Sequence, residues 1–469
     1  LALRSSELIE LLAPSRVEGP FLDVEISSFV VDSRMAGPNS CFFALRGSRS
    51  DGHLFVGDAA SRGAKVLVVQ EGFRLPVEPE GLSEVLLIRV PDVLKSLIWA
   101  ARRYLLGSLK PFGVVGITGS VGKSTTKKVL GEGLSRLCRA FHTPRSYNTE
   151  VGISLAVLSA PAPLDVLVLE LGTSGFGEIR RMVELFPLDG AVLVKVAPAH
   201  LEALGDLDGV LRAKLEILEG LREGGWVSFN GDDERLARGV PHGSFRRCSV
   251  GAWGDHVRVL GTGMGDDLCL WVDLEEVASG RRGRISTRLV GAHNAINVAL
   301  AASAMVNLGF DFEEVLASLE GAEPPEMRVR PRKAGDLLLI EDFYNANPES
   351  ARALLAFLRE LKDDRGLSVF VVFGSMKELG EGREVFHREL GFEAGLVVDG
   401  AVFVGPEGEA FSEGFSASGV PRGAFLDLYP DGDRVPSDLL KRFPPGSAVA
   451  FKASRSCRFE ELLGRLGVE

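Results

Sequence analysis

The apolar residues of this chain fall into short continuous runs separated by stretches with helical spacing. FGVVGIT (112–118), DVLVLELG (165–172) and GAVLVKVA (190–197) are runs of the kind buried on both faces of a parallel sheet, with helical patterns between them. That alternation predicts βαβ units and a mostly parallel sheet covered by helices on both faces. The pattern changes over 244–290, where short strand-like segments and glycine turns predict an antiparallel patch. AHNAINVALAASAMVNLG then returns to helical spacing, with Gly309 placed to cap its end. GAEPPEMRVRPRKAG reads as a boundary, and DLLLIED, LSVFVVFG, GAVFVG and SAVAFKA follow as the strands of a second parallel α/β unit. Ahead of all this, DVEISSFVVDSR and AKVLVVQ flank CFFALRGSRSDGHLFVGDAASRGA, a strand, a glycine-rich loop and a helix. PDVLKSLIWAARRYL has helical spacing, and GSLKP after it reads as a linker. The expected fold class is therefore α/β in three domains: a small N-terminal unit over 1–108, a central mostly parallel sheet over 109–321, and a Rossmann-like C-terminal unit over 322–469.

Composition narrows the function more than the fold. A net charge of -11 argues against a broad nucleic-acid surface, so any phosphate must be bound by local devices. No uncharged apolar run is long enough to span a membrane, and the charged opening LALRSSELIELLAPSR reads as an amphipathic helix, not a signal peptide. The five cysteines are scattered with no C-x-x-C pair, which indicates neither zinc nor a disulfide framework and fits a reduced, cytoplasmic chain. Gln70 is the only glutamine and asparagine occurs eight times, a scarcity that fits heat adaptation. It also makes each asparagine informative: Asn148, Asn294, Asn297, Asn345 and Asn347 cluster in three places.

The strongest chemical signal is GITGSVGKSTT. The common phosphate loop has glycine, four residues, then Gly-Lys-Ser/Thr, but here Ile117 stands five before Gly122. The physics survives the shift. Strand, glycine turn and helix start would aim backbone amides and a helix dipole at an anion. Lys123 can neutralise phosphates, and a hydroxyl of Ser124 or Thr125 can hold Mg²⁺. An ordinary turn would place a lysine where it opposes the helix dipole. Glu170 ends the next buried strand, where α/β ligand sites form, and is either a Mg²⁺ ligand or a helix cap. His200 follows another strand end and alone is a weak signal; Lys214 lies fourteen residues on, and an ammonium binds no cation. Asn148 and Asn294 stand at helix starts, as caps or as ligand contacts. Asp342, Tyr344, Asn345 and Asn347 cluster after a strand, which favours a site over a surface loop. Lys452 and Arg455 follow the last strand, able to grip a carboxylate or phosphate or simply to be solvated there.

Taken together, TGSVGKST, ELGTSGFGEI, VAPAHLE, AKLEI, HNAINVALA, YNANPES, FGSMKELG and KASRS resemble the Mur ligase family of peptidoglycan precursor synthesis, in that family's order. VDSRMAGPNSCFFALRGSRSDGH is similar to its UDP-sugar loop, so the resemblance covers nearly the whole chain. It implies an ATP-dependent amide-forming ligase acting through an acyl phosphate. Within the family the motifs lean to the branch that joins D-alanyl-D-alanine to UDP-N-acetylmuramoyl-tripeptide. The alternatives are the branch adding a single amino acid to the dipeptide nucleotide, whose D-N-P-R and G-K-G-H-E segments are not found, and a P-loop switch, whose N-K-x-D motif is not found either.

By this resemblance Thr118, Gly119, Ser120, Gly122, Lys123, Ser124, Thr125, Asn294, Arg328 and Asp342 bind ATP. Ser124, Glu170 and His200 hold Mg²⁺, two ions in all, and Lys214 is the lysine that the family carbamylates. Asp32, Ser33, Arg34, Asp51 and His53 belong to the UDP-sugar end; Asn148, Tyr344, Asn345, Asn347, Lys452, Ser454 and Arg455 belong to the substrate side. A monomer and closure of the domains on ligands are further expectations. Three departures from the family pattern stand out: the order Ser124-Thr125, the lack of Asn-His after Gly172, and Phe343 where serine is frequent.

Overall fold

Three separate sheets divide the strands of the computed structural model. It describes residues 2–468 apart from 21–22, 48–49, 75–83, 145, 327, 378 and 421–422. The first sheet has five strands in the order Arg16–Glu18, Leu86–Val90, Val66–Gln70, Cys41–Phe43 and Phe29–Val30, parallel except for the first pair. Asp92 caps the helix Val93–Tyr104 that packs on it, its side chain accepting from Lys95 N. The helix does not stop at the expected linker. It runs on as a π-helical turn, Leu105–Leu109, because Leu105 and Leu109 are buried; only Lys110, at φ 41°, ends it.

The central sheet has nine strands. From one edge they run Arg281–Ser286, Leu270–Glu276, Val257–Met264, Arg246–Gly251, Leu221–Asn230, Leu188–Leu193, Gly113–Thr118, Val166–Glu170 and Ala140–His142. The last seven are parallel, and only the first two pairings are antiparallel. The patch expected over 244–290 is thus an extension of the parallel sheet, joined through Arg246–Gly251. Its hairpin is tied by Arg284 to Asp273, with the guanidinium 3.9 Å from the centre of the Trp271 ring. Gly113–Thr118 and Val166–Glu170 are buried at every position, as their unbroken apolar runs require.

The third sheet runs Arg330–Ala334, Leu337–Glu341, Ala448–Lys452, Val369–Gly374, Gly400–Val404 and Phe425–Tyr429, parallel after the first pair. Arg330–Ala334 comes from the segment read as a boundary; it is an edge strand, where Pro331 is tolerated. It, Phe425–Tyr429 and Ala140–His142 carry too many polar or half-exposed positions to announce themselves as buried strands. Among the described residues no helix is long and apolar enough to cross a membrane.

On this third sheet the helices Arg383–Gly395 and Gly408–Ala417 approach backbone to backbone. A Cβ on Gly414 would lie 1.8 Å from Arg388 O, and one on Gly391 2.0 Å from Phe411 O. Gly414→Ala gains at most about 1 kcal/mol of helix propensity and must push the helices apart, an overpacking cost of about 1–3 kcal/mol. The expected result is a lowered chemical-denaturation midpoint. Gly464→Ala, in a helix with open space around that glycine, should leave the midpoint level or raise it.

Candidate active site

The strand Gly113–Thr118 leads through a tight turn into the helix Lys123–Ser135. Gly122 stands before that helix at φ 84°, and a Cβ there would meet Asn297 Oδ1 at 2.6 Å and Val194 Cγ1 at 2.7 Å, so only glycine fits. No side chain caps this helix, and its first backbone bond runs from Thr126 N to Gly122 O. The amides of the first turn are left for a ligand, at the positive end of the helix dipole. Ser120 to Ser124 line a cavity of about 680 Å³. Lys123 Nζ donates to Gly119 O at 2.6 Å; burial pushes its ammonium down, Glu170 pulls it up and Arg328 adds to the push down.

Glu170 ends the neighbouring strand and is buried to 1% exposure. Its Oε1 accepts from Ser124 Oγ at 3.2 Å and Asn148 Nδ2 at 3.3 Å; Oε2 lies 3.1 Å from Lys127 Nζ. Burial alone would raise this carboxyl, but the ammoniums of Lys127 and Lys123 and the guanidinium of Arg328 outweigh it, and it sits below its ordinary value. Asn148 therefore does not cap the following helix: Thr149 does, accepting from Gly152 N. His200 lines the same cavity in the left-handed region, φ 53°, just before the short helix Leu201–Leu204. Lys214 is buried, and burial pushes its ammonium far down. Lys123 reinforces this while Glu178 and Glu216 oppose it. Both glutamates are engaged in bracing the loop 173–177: Glu178 accepts from Ser174 N and Glu216 from Gly177 N.

The C-terminal unit supplies the opposite wall. Arg328, Tyr344, Asn345, Asn347 and Lys377 line the cavity with the loop residues. Arg328 stacks 4.8 Å from the centre of the Tyr344 ring, and the Tyr344 hydroxyl donates to Ser146 Oγ of the central unit. Asn347 accepts from Ser350 N and so caps the helix Pro348–Arg365 with a full capping box. Next to the cavity a recess of about 50 Å³ joins Gly122, Thr125, Asn294, Arg328 and Asp342. Asn294 is no helix cap: its Nδ2 donates to Val290 O at 2.7 Å, and its Oδ1 accepts from Asn297 Nδ2 at 2.8 Å. A third, largely apolar space of about 330 Å³ lies against Gly122, His293 and Asn297.

Other sequence candidates stand apart from these spaces. Lys452 does not reach the cavity to grip a substrate; it is buried at 1% exposure and forms an ion pair with Asp342. Ser454 is buried too, accepting from Lys377 N at 3.1 Å, and Arg455 turns to Glu460 at 3.4 Å. At the N-terminal end Asp32 holds Arg34 through both carboxylate oxygens next to Ser33. Asp51 accepts from His53 Nδ1 at 2.6 Å, and His53 Nε2 accepts from Gln70 N, so this histidine is a buried brace. None of these five lines the cavities around the loop. Ser48 and Arg49 of GSRSDGH, and Glu378 of FGSMKELG, lie outside the described residues. Sequence reasoning passed over Lys127, His293, Lys377 and the bond from Thr126 Oγ1 to Asn297 Oδ1. Lys127 had one signal: a lysine one turn after Lys123, on a helix face otherwise buried.

Among the described residues no three His, Cys, Asp or Glu side chains group as a metal cage. One carboxylate beside a hydroxyl fits Mg²⁺ of the kind that keeps its waters and arrives on phosphates.

A shortened phosphate loop, an acid at the next strand end and a second α/β unit closing over both define a P-loop enzyme that works between domains. The Mur ligase middle domain matches residues 117–305, and the Mur ligase, glutamate ligase domain matches residues 327–455. The chain belongs to the Mur ligase family. It is 30% identical over 462 residues to the UDP-N-acetylmuramoyl-tripeptide--D-alanyl-D-alanine ligase of Bacillus subtilis, covering 93% of this chain and 92% of the relative. Its structure is similar to MurF from Acinetobacter baumannii, with a TM-score of 0.83, 25% identity and full coverage of both chains. It is also similar to MurF ligase from Thermotoga maritima in complex with ADP, with a TM-score of 0.76, 28% identity and coverage of 93% and 96%.

The Asp342–Lys452 pair yields a stability prediction. Lys452→Met leaves a buried carboxylate without its partner and should cost about 3–5 kcal/mol, while Asp342→Asn with Lys452→Met should recover much of that loss. Denaturant unfolding of the three variants measures it; a harmless single variant would show that the pair does not hold this wall.

Proposed function

We propose that this chain is a MurF-type ligase. It joins D-alanyl-D-alanine to UDP-N-acetylmuramoyl-tripeptide at the expense of ATP, releasing ADP and phosphate. The observation that carries the reading is a cavity walled by the phosphate loop and Glu170 on one side and by Arg328, Tyr344, Asn345 and Asn347 on the other. Full-length similarity to ligases of that name supports it. In this reading 1–108 takes the UDP-sugar end through Asp32, Ser33, Arg34 and Asp51, with the buried His53 bracing Asp51, 109–321 takes ATP, and 322–469 closes the site. The enzyme works in the cytoplasm as a monomer.

The chemistry follows from the charges. A carboxylate is a poor electrophile, so the terminal carboxylate of the tripeptide first attacks the γ-phosphorus and ADP leaves. The amine of D-alanyl-D-alanine then attacks the acyl carbon, phosphate departs, the amine proton is lost and the amide remains. Lys123, the uncapped amides of the loop helix and Arg328 stabilise charge on the phosphates and need little rearrangement to do so. Ser124, Glu170 and His200 are the residues that would hold Mg²⁺, which when bound neutralises phosphate charge. Thr118, Gly119, Ser120, Gly122 and Thr125 shape the loop; Asn294 and Asp342 face the nucleoside side. Lys214, whose ammonium form burial and Lys123 disfavour, is suited to take up CO₂ as a carbamate and so place an anionic side chain beside the cations.

Phosphate release should require ATP, UDP-N-acetylmuramoyl-tripeptide and D-alanyl-D-alanine together. Release driven by a free amino acid with the dipeptide nucleotide would sink the assignment. Lys123→Ala should lower turnover by about 10³-fold or more, the scale of losing a transition-state donor; retained activity would remove the loop from the reaction. With ¹³C-bicarbonate the wild-type chain should show one carbamate carbon signal that Lys214→Arg lacks, and its absence from both would refute the carbamate.

A further inference from the structure

Lys127 has no part in the reaction as drawn. It lies one turn after Lys123 on the loop helix, with its side chain 4% exposed. Glu170, Ser124 and Asn148 line the cavity; Lys127 does not. The two oxygens of Glu170 are therefore divided. Oε1 meets the two neutral donors that border the cavity, and Oε2 meets a buried ammonium at 3.1 Å. Around this one carboxylate stand Lys123, Lys127 and Arg328, all close enough to act on its charge. Before any phosphate enters, the cluster is net positive.

We infer that Lys127 is a positioning residue that occupies one oxygen of Glu170 and prevents a divalent cation from settling there until a nucleotide brings it. The inference rests on Glu170 being the metal contact of the reading above. A divalent ion approaching the free protein meets a carboxylate already neutralised, with two more cations behind it, and repulsion at low dielectric is strong. Triphosphate reverses that sign and supplies most of the oxygen ligands Mg²⁺ prefers, leaving Oε1 to complete the set. Oε2 stays with Lys127, so Glu170 offers a single oxygen. Metal then enters with nucleotide and not before it.

The test is Mn²⁺ titration of the full-length chain followed by electron paramagnetic resonance, with and without ADP. The wild type should take up Mn²⁺ at this site only when ADP is present. Lys127→Met should create one nucleotide-independent Mn²⁺ site, tighter than in the wild type by about tenfold or more, and Lys127→Met with Glu170→Gln should lose it. A folded Lys127→Met chain with no such gain overturns the inference. So does a wild-type chain that binds Mn²⁺ tightly without ADP and loses that binding in Glu170→Gln, a result that needs no Lys127 variant at all. If Glu170→Gln leaves Mn²⁺–ADP binding untouched, the assignment of Glu170 fails and the inference falls with it. If Glu170→Gln abolishes that binding and Lys127→Met changes nothing, only the role of Lys127 fails. A lysine that merely held the core would lower the melting temperature and leave the metal dependence where it was.

Discussion

The site is organised around a single buried carboxylate. Glu170 is desolvated at a strand end, which by itself would favour its neutral form, and it is kept ionised by cations on two different units: Lys123 and Lys127 from the loop helix, and Arg328 from beyond the central sheet. Removing ions from water is costly unless each finds a partner. Here one anion serves three cations, so the arrangement remains short of negative charge. The uncapped helix start adds more positive potential to the same point. A polyanionic ligand is what this geometry lacks, and the requirement follows from the charges without any reference to relatives.

The second wall depends on the first. Arg328 reaches the loop while stacked on Tyr344, and Tyr344 is hydrogen-bonded to Ser146 of the central unit. Lys195 of the central unit pairs with Glu349 in the first turn of the helix that Asn347 caps. Beside the apolar contact of Val290, Met264 and Leu268 with the C-terminal core, these links are polar, and Lys195 and Glu349 are partly exposed. Contacts of that kind hold two units in register without welding them, since partly exposed ion pairs are individually weak. A site whose walls belong to separate sheets can admit bulky substrates and then exclude water as the walls meet.

Much of this was legible in the sequence because burial writes itself as unbroken apolar runs. GVVGIT and VLVLE announced two adjacent parallel strands, and Lys123, beyond the first, and Glu170, at the end of the second, do share one cavity. Arg328, Tyr344 and Asn345 were likewise placed on it by their motifs. The strands that escaped notice are edges: Arg330–Ala334 and Phe425–Tyr429 are only half covered, so they carry arginine, lysine and aspartate. Two buried side chains are hidden for a different reason. Lys452 and His53 look like surface or ligand residues by type, yet each is buried against an acid, Asp342 and Asp51. Nothing in a one-dimensional pattern distinguishes a lysine that faces a ligand from one that faces a carboxylate beneath the site.

That last ambiguity points to how the enzyme uses charge. Two acid–lysine pairs stand at neighbouring spaces: Glu170 with Lys127 on the central sheet, at the cavity, and Asp342 with Lys452 on the C-terminal sheet, at the small recess beside it. Each acid is at a strand end or one residue beyond it, and each lysine comes from the element beside it: the loop helix for Lys127, the neighbouring strand for Lys452. Apolar replacements would pack as well and often stabilise more, so stability alone does not explain two such pairs. A paired acid at a strand end is oriented by its lysine and cannot turn away from the ligand space. Each sheet thereby presents one braced carboxylate, Glu170 to the cavity and Asp342 to the recess next to it, and both are oriented by their lysines before any substrate arrives.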